Sequence, residues 1–187
     1  MKLAFICGSG YGRSDSLIIT RKLRLLADDN ESEVFVFIRG SEGNDKYREI
    51  AKNGAHKVFV CDTGLNSFIE MCRLWIIRND IHMMAFQDTE EGRKMASVLA
   101  MMLDGGLTAD CINIEYDKKD GFQFFRAALS DSIVAKIKCI NTDYQLCTIK
   151  QNSFQIKKEL SYETGNIEYL KPEKEVKEAL AQVISSK

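Results

Sequence analysis

Gln87-Asp88-Thr89-Glu90-Glu91-Gly92-Arg93-Lys94-Met95-Ala96-Ser97-Val98-Leu99-Ala100 runs on through two methionines to Leu103-Asp104-Gly105-Gly106-Leu107-Thr108-Ala109-Asp110-Cys111. This ungapped stretch joins a strand end, a capped amphipathic helix and a Gly-Leu-Thr-Ala-Asp-Cys corner. Asp88 as cap, with Glu91 three places on, reads as a capping box, and Glu90 adds a second carboxylate to the first turn. The apolar run Ile81–Phe86 before it has strand length. Strand, helix and strand in succession point to an α/β layer structure.

Working outward, the same alternation repeats. Strands are expected at Lys2–Cys7, Glu33–Arg39 and Lys57–Cys61. Helices are expected at Ser16–Ala27, Lys46–Asn53, Leu65–Ile77 and Glu91–Leu103. Such alternation predicts a mostly parallel sheet with helices on both faces. Ser14, Asp15 and Ser16 supply capping side chains, and Gly54 suits the end of the second helix. Beyond residue 110 the pattern changes. Cys111–Asp117, Gln123–Arg126, Ile133–Cys139 and Gln145–Lys150 read as strands, with turns at 118–121 and 141–143, and predict an antiparallel extension. A polar stretch around 162–166 follows. Pro172 then opens a predicted helix with Val176, Ala179, Leu180, Val183 and Ile184 on one face. One domain over 1–155, followed by a connection and C-terminal helix over 156–187, is the expected division.

The 187 residues are 45% hydrophobic and 28% charged, with a formal charge of −1. That balance is one of a globular chain and gives no field for nucleic acid or anionic membrane. No apolar run approaches the roughly 20 residues of a spanning helix. The start, Met1–Cys7, reads as a buried strand and not a leader, so a cytoplasmic location is expected. The six cysteines form no Cys-x-x-Cys pair, and only two histidines are present. Buried free thiols are expected in place of a zinc site.

Two places come into question for anion binding, and the residues favour only the first. Gly8-Ser9-Gly10-Tyr11-Gly12-Arg13-Ser14-Asp15-Ser16 follows the first strand, where ligands of open α/β sheets sit. Gly8, Gly10 and Gly12 would let backbone N–H groups approach a phosphate, and Ser9, Arg13, Ser14 and Ser16 would add donors. The spacing fits neither the dinucleotide nor the Walker pattern. A turn with a serine cap is the plain alternative. The second place is the helix start at Thr89 and Arg93, where Asp88, Glu90 and Glu91 already occupy the positive end and favour a structural cap. Arg93 would offset one of these charges for an incoming anion, or pair with a neighbouring acid. An Asp110–Arg126 surface pair is also expected. Trp75, Met71 and Cys72 read as core, the methionine pairs at 83–84 and 101–102 as core or subunit contact, and His56 as an exposed loop residue. No nucleophile–base pair is evident, so catalysis is not expected.

The stretch from Thr89 to Cys111 resembles the N-terminal domain of the electron-transfer flavoprotein alpha subunit. That family's pattern reads Gly-Ala-Thr-x-x-Gly-Arg-Glu-Leu-Ala, then Gly-Leu-Thr-Ala-Asp-Cys. The resemblance covers most of residues 1–154. Downstream, Arg126, Ala128, Gln145 and Thr148 keep the family's places, while three prolines and two glycines of its pattern are missing. The resemblance implies a three-layer Rossmann-like, adenine nucleotide alpha hydrolase-like fold. It also implies a platform role against a beta-subunit-like protein or a separate flavin domain, since the family holds flavin chiefly in a C-terminal domain that this chain is expected to lack. FAD or AMP is then the candidate ligand and a homo-oligomer is expected, a homodimer in the simplest case. The rival reading is a small-nucleotide binder, holding AMP or flavin at the Gly8–Ser16 loop. A reductase or pyrophosphatase rests on that loop's loose similarity alone.

Overall fold

Continuous apolar runs become central strands because both faces of a parallel sheet are covered. The computed structural model describes residues 2–9, 13–41, 45–129, 132–154, 162 and 165–171. Along it lie β1 (Lys2–Cys7), α1 (Arg13–Asp28), β2 (Glu33–Arg39), α2 (Lys46–Lys52), β3 (Lys57–Cys61), α3 (Leu65–Arg78), β4 (Met83–Gln87) and α4 (Glu90–Leu103). They are followed by β5 (Gly106–Asp117), β6 (Gly121–Ala128), β7 (Ile133–Ile137), β8 (Gln145–Ile149) and β9 (Asn166–Tyr169). The helix expected from Pro172 lies outside the described residues.

The sheet runs in the order β7-β6-β5-β8-β4-β1-β2-β3-β9. Strands β1, β2, β3 and β4 pair in parallel, as expected, and the β5-β6 and β6-β7 pairs are antiparallel. Gln145–Ile149 corrects the expected antiparallel extension: β8 is inserted between β4 and β5 and is parallel to both. Asn166–Tyr169, within the stretch read as a connection, pairs in parallel with β3.

Two apolar layers flank the sheet. On one side α1 and α2 contribute Ile19, Leu23, Tyr47 and Ile50 against Phe5, Val36 and Val58. On the other, α3 and α4 set Phe68, Met71, Ile76, Met95 and Leu99 against Ile6, Phe37, Phe59 and Phe86. Met71 and Cys72 are core as expected, and Trp75 is partly buried with its ring 4.4 Å from that of Phe59. Met83 and Met84 are buried, whereas Met101 is 77% exposed and Met102 is also exposed. Gly54, with φ of +116°, follows α2 and donates its N–H to Ala51, the C-terminal role its sequence position implies.

Candidate functional site at the carboxyl ends of β1 and β2

The chain leaves β1 towards β2 and β3 on one side of the sheet, while β4 lies on the other. The carboxyl ends of β1 and β4 therefore frame the point where strand order reverses, the usual ligand crevice of open α/β sheets. Three side chains from separate elements meet beside it. Arg39, the last residue of β2, donates from Nε to Glu91 Oε1 at 2.6 Å and from Nη2 to Ser9 Oγ at 2.6 Å. Ser9, just past β1, donates its backbone N–H to Glu91 Oε2 at 3.2 Å and its hydroxyl to the same oxygen at 3.3 Å. A third guanidinium contact runs from Nη1 to the Thr63 carbonyl at 3.4 Å.

Glu91 thus has both oxygens engaged. Burial opposes its ionisation, but the Arg39 guanidinium and then Ser9 outweigh burial and hold the carboxyl below its usual value. Gly8 makes room for it: a Cβ there would fall 2.4 Å from Glu91 Cδ. An open cleft of about 340 Å3 adjoins the cluster, lined by Ser9, Arg39, Ser41, Lys46, Tyr47 and Asp62.

The start of α4 corrects the expected cap. Thr89, not Asp88, is the N-cap, and its Oγ1 accepts from Gly92 N at 3.0 Å. Thr89 has extended backbone and already sits over the first free amides, which leaves Asp88 outside the helix. Asp88 pairs with Arg93 at 2.9 Å, as expected for Arg93, and Glu91 reaches across to β1 and β2 in place of folding back on its own helix. Gly92 is required by contact: a Cβ would lie 1.9 Å from the Gln87 carbonyl oxygen. Gln87 itself is buried, donates to Asp15 Oδ2 at 3.3 Å, and finds no partner for its Oε1 among the described residues.

Of the loop residues singled out in the sequence, Gly8 and Ser9 join the cluster. Gly10 and Gly12 lie outside the described residues, and Arg13 opens α1. The helix therefore starts before Ser14, Asp15 and Ser16, so these occupy its first turn and do not cap from outside. Ser14 is exposed, whereas Ser16 is buried. Burial pushes the Cys7 thiol well up, partly offset by its hydrogen bond with Ser16.

Sequence reasoning missed Arg39 and the cross-sheet role of Glu91. The available signal was a charged residue ending a continuously apolar strand, which places a cation at the sheet's carboxyl edge. Asp110 and Arg126 do form the expected pair, 3.7 Å apart and half exposed. His56 corrects its reading as an exposed loop residue: it is half-buried, and its Nδ1 accepts from Val34 N at 2.9 Å. His82 contacts the Asp143 carbonyl and Asp80, each at 3.0 Å. Both rings are bound up away from the cluster. At the cluster itself the Arg39 Nε and Ser9 donors are taken up by the Glu91 carboxylate.

No helix among the described residues is long and apolar enough to cross a membrane, and no group of three or more His, Cys, Asp or Glu among them could hold a metal ion. The electron transfer flavoprotein domain family matches residues 76–175. The chain is 27% identical over 159 residues to lactate dehydrogenase (NAD(+),ferredoxin) subunit LctC of Acetobacterium woodii, covering 82% of this chain and 38% of that protein. It is 29% identical over 154 residues to electron transfer flavoprotein subunit alpha of Megasphaera elsdenii, covering 78% of this chain and 45% of that protein. The chain thus spans less than half the length of either relative.

Proposed function

The chain belongs to the electron transfer flavoprotein domain family, and from that membership we propose that it is an alpha-subunit-like binding and assembly module in flavin-based electron transfer. The observation that carries the reading is the match over residues 76–175, which runs from the end of α3 through β9. Both relatives are named as subunits, which supports work in an assembly. In this reading the partner is a beta-subunit-like protein or a separately encoded flavin domain, and FAD is held largely outside this chain.

The β5–β6–β7 arm offers a surface for such a partner. Ala128 pairs with Ile133 and Ala127 with Val134, so the arm's end gathers Leu129, Ile133 and Val134 in one place. All three are exposed, Leu129 at 73%, and β7 is an edge strand. Large apolar side chains on an open sheet edge are more often covered than left in water.

The test is capture of the tagged chain from its native cells, followed by absorbance and mass spectrometry of the complex. A stoichiometric polypeptide that carries flavin, and whose retention weakens in Val134→Lys, supports the module. Recovery of the chain alone, or of flavin bound to this chain alone, overturns it.

A further inference from the structure

We infer that the cluster at the ends of β1 and β2 is an oxyanion site with its anion built in. The Glu91 carboxylate holds the place that a phosphate group takes once that carboxylate is removed. The inference is independent of the family reading, because it rests only on donors and space in this chain.

A carboxylate and a phosphate ask for the same partners: a guanidinium N–H, a backbone N–H and a hydroxyl. All three are present and all converge on Glu91. Arg39 Nε reaches Oε1 at 2.6 Å, while Ser9 N and Ser9 Oγ reach Oε2 at 3.2 and 3.3 Å. The Ser9 hydroxyl also accepts from Arg39, so one hydroxyl serves as both acceptor and donor. An exposed ion pair is a weaker explanation. Arg39 and Glu91 side chains are only 23% and 21% exposed, and the glycine at position 8 leaves room where any Cβ would strike the carboxyl.

Charge decides why the native chain is a poor phosphate site. Among the described residues at the cleft, Arg39 is neutralised by its ion pair with Glu91. Without Glu91 the Arg39 guanidinium loses that carboxylate, and the adjoining cleft of about 340 Å3 leaves space for a group attached to the phosphate. At the start of α4 Asp88 is engaged by Arg93 and Glu90 adds a further carboxylate to the first turn, while Asp15 in the first turn of α1 accepts from Gln87. A phosphate at this cluster must therefore displace the Glu91 carboxylate, which is tethered by its own helix.

Isothermal titration with inorganic phosphate and with AMP, on the wild type, Glu91→Ala and Glu91→Ala/Arg39→Ala, tests this. Glu91→Ala should bind phosphate at least about tenfold more tightly than the wild type, and the double variant should lose the gain. Tighter binding of AMP than of phosphate would seat the nucleoside in the cleft, and equal binding would mark a site for the oxyanion alone; either supports the inference. A folded Glu91→Ala that gains nothing overturns it, as does a wild type that binds phosphate equally well. If Glu91→Ala fails to fold, Glu91→Ser empties the same space with a residue that suits a helix's first turn, and absence of any gain there is equally decisive. These titrations need no partner, so their failure leaves the subunit reading untouched.

Discussion

Gly92 shows how one residue ties helix to strand. The first turn of α4 lies so close to the end of β4 that a Cβ would sit 1.9 Å from the Gln87 carbonyl oxygen, which is backbone and cannot rotate away. Gly92→Ala should therefore cost about 3 kcal/mol, at the upper end of overpacking, because α4 must lift off the sheet. Urea unfolding checks this, and an unchanged midpoint would contradict it. At Glu91 the effect is electrostatic. Its folded pKa is depressed, so its contribution to stability is present above the ordinary carboxylate value of 4.5 and is lost as pH falls through the lower folded value. The wild type should exceed Glu91→Gln by roughly 0.5–1 kcal/mol near neutrality, with the gap closing on acidification. A gap that widens in acid would refute the assignment. The sequence shows that this helix start is capped and acidic. It does not show which acid caps, because Asp88, Thr89 and Glu91 all suit a first turn and only the path from β4 chooses among them.

The elements differ in how plainly they can be read. Strands β1, β2 and β3 occupy the expected residues because each is a run of apolar side chains buried on both faces. β8 has the same signature, yet apolar content carries no direction, and its insertion between β4 and β5 follows from the return of the chain after β7. β9 leaves almost no trace: of Asn166-Ile167-Glu168-Tyr169, only Ile167 packs against a core layer. Backbone contacts hold it. Asn166 N donates to the His56 carbonyl at 3.2 Å and Leu170 N to that of Val60 at 2.8 Å. Gly165 permits the approach, since a Cβ there would lie 2.1 Å from the Ala55 carbonyl oxygen. Gly165→Val should detach β9 while sparing the centre of the sheet. In hydrogen exchange the Leu170 amide should lose protection and the amides of β1 should keep theirs. Loss of protection in both would show that β9 is part of the global unit and not a dispensable edge.

Across the whole molecule, the layered fold was legible because both helix and strand periods survive in the sequence, but the oxyanion cluster was not. Arg39 and Glu91 are 52 residues apart, and Arg39 and Ser9 are 30 apart, so only the strand order brings them together. The cysteines follow the opposite logic, because apolar strands and helices carry them into the core. Cys7, Cys111 and Cys147 enter the α1–α2 layer, while Cys61 and Cys72 enter the α3–α4 layer. All six are free, five are buried, and Cys139 is half-buried. Burial pushes the Cys7, Cys72 and Cys147 thiols well up and the Cys139 thiol up less strongly, so the reactive thiolate is scarce at these four positions, and burial itself shields Cys61 and Cys111 from reagent. Titration of the native protein with an aromatic disulfide reagent should thus register one reacting thiol, Cys139, and six after unfolding. Cys139→Ser should remove the native signal and leave five on unfolding, since the substitution takes away one of the six. Two or more fast thiols in the native protein would mean that one of the apolar layers opens, and peptide mapping of the labelled cysteine would identify which: Cys61 or Cys72 reports the α3–α4 face, and Cys7, Cys111 or Cys147 the α1–α2 face.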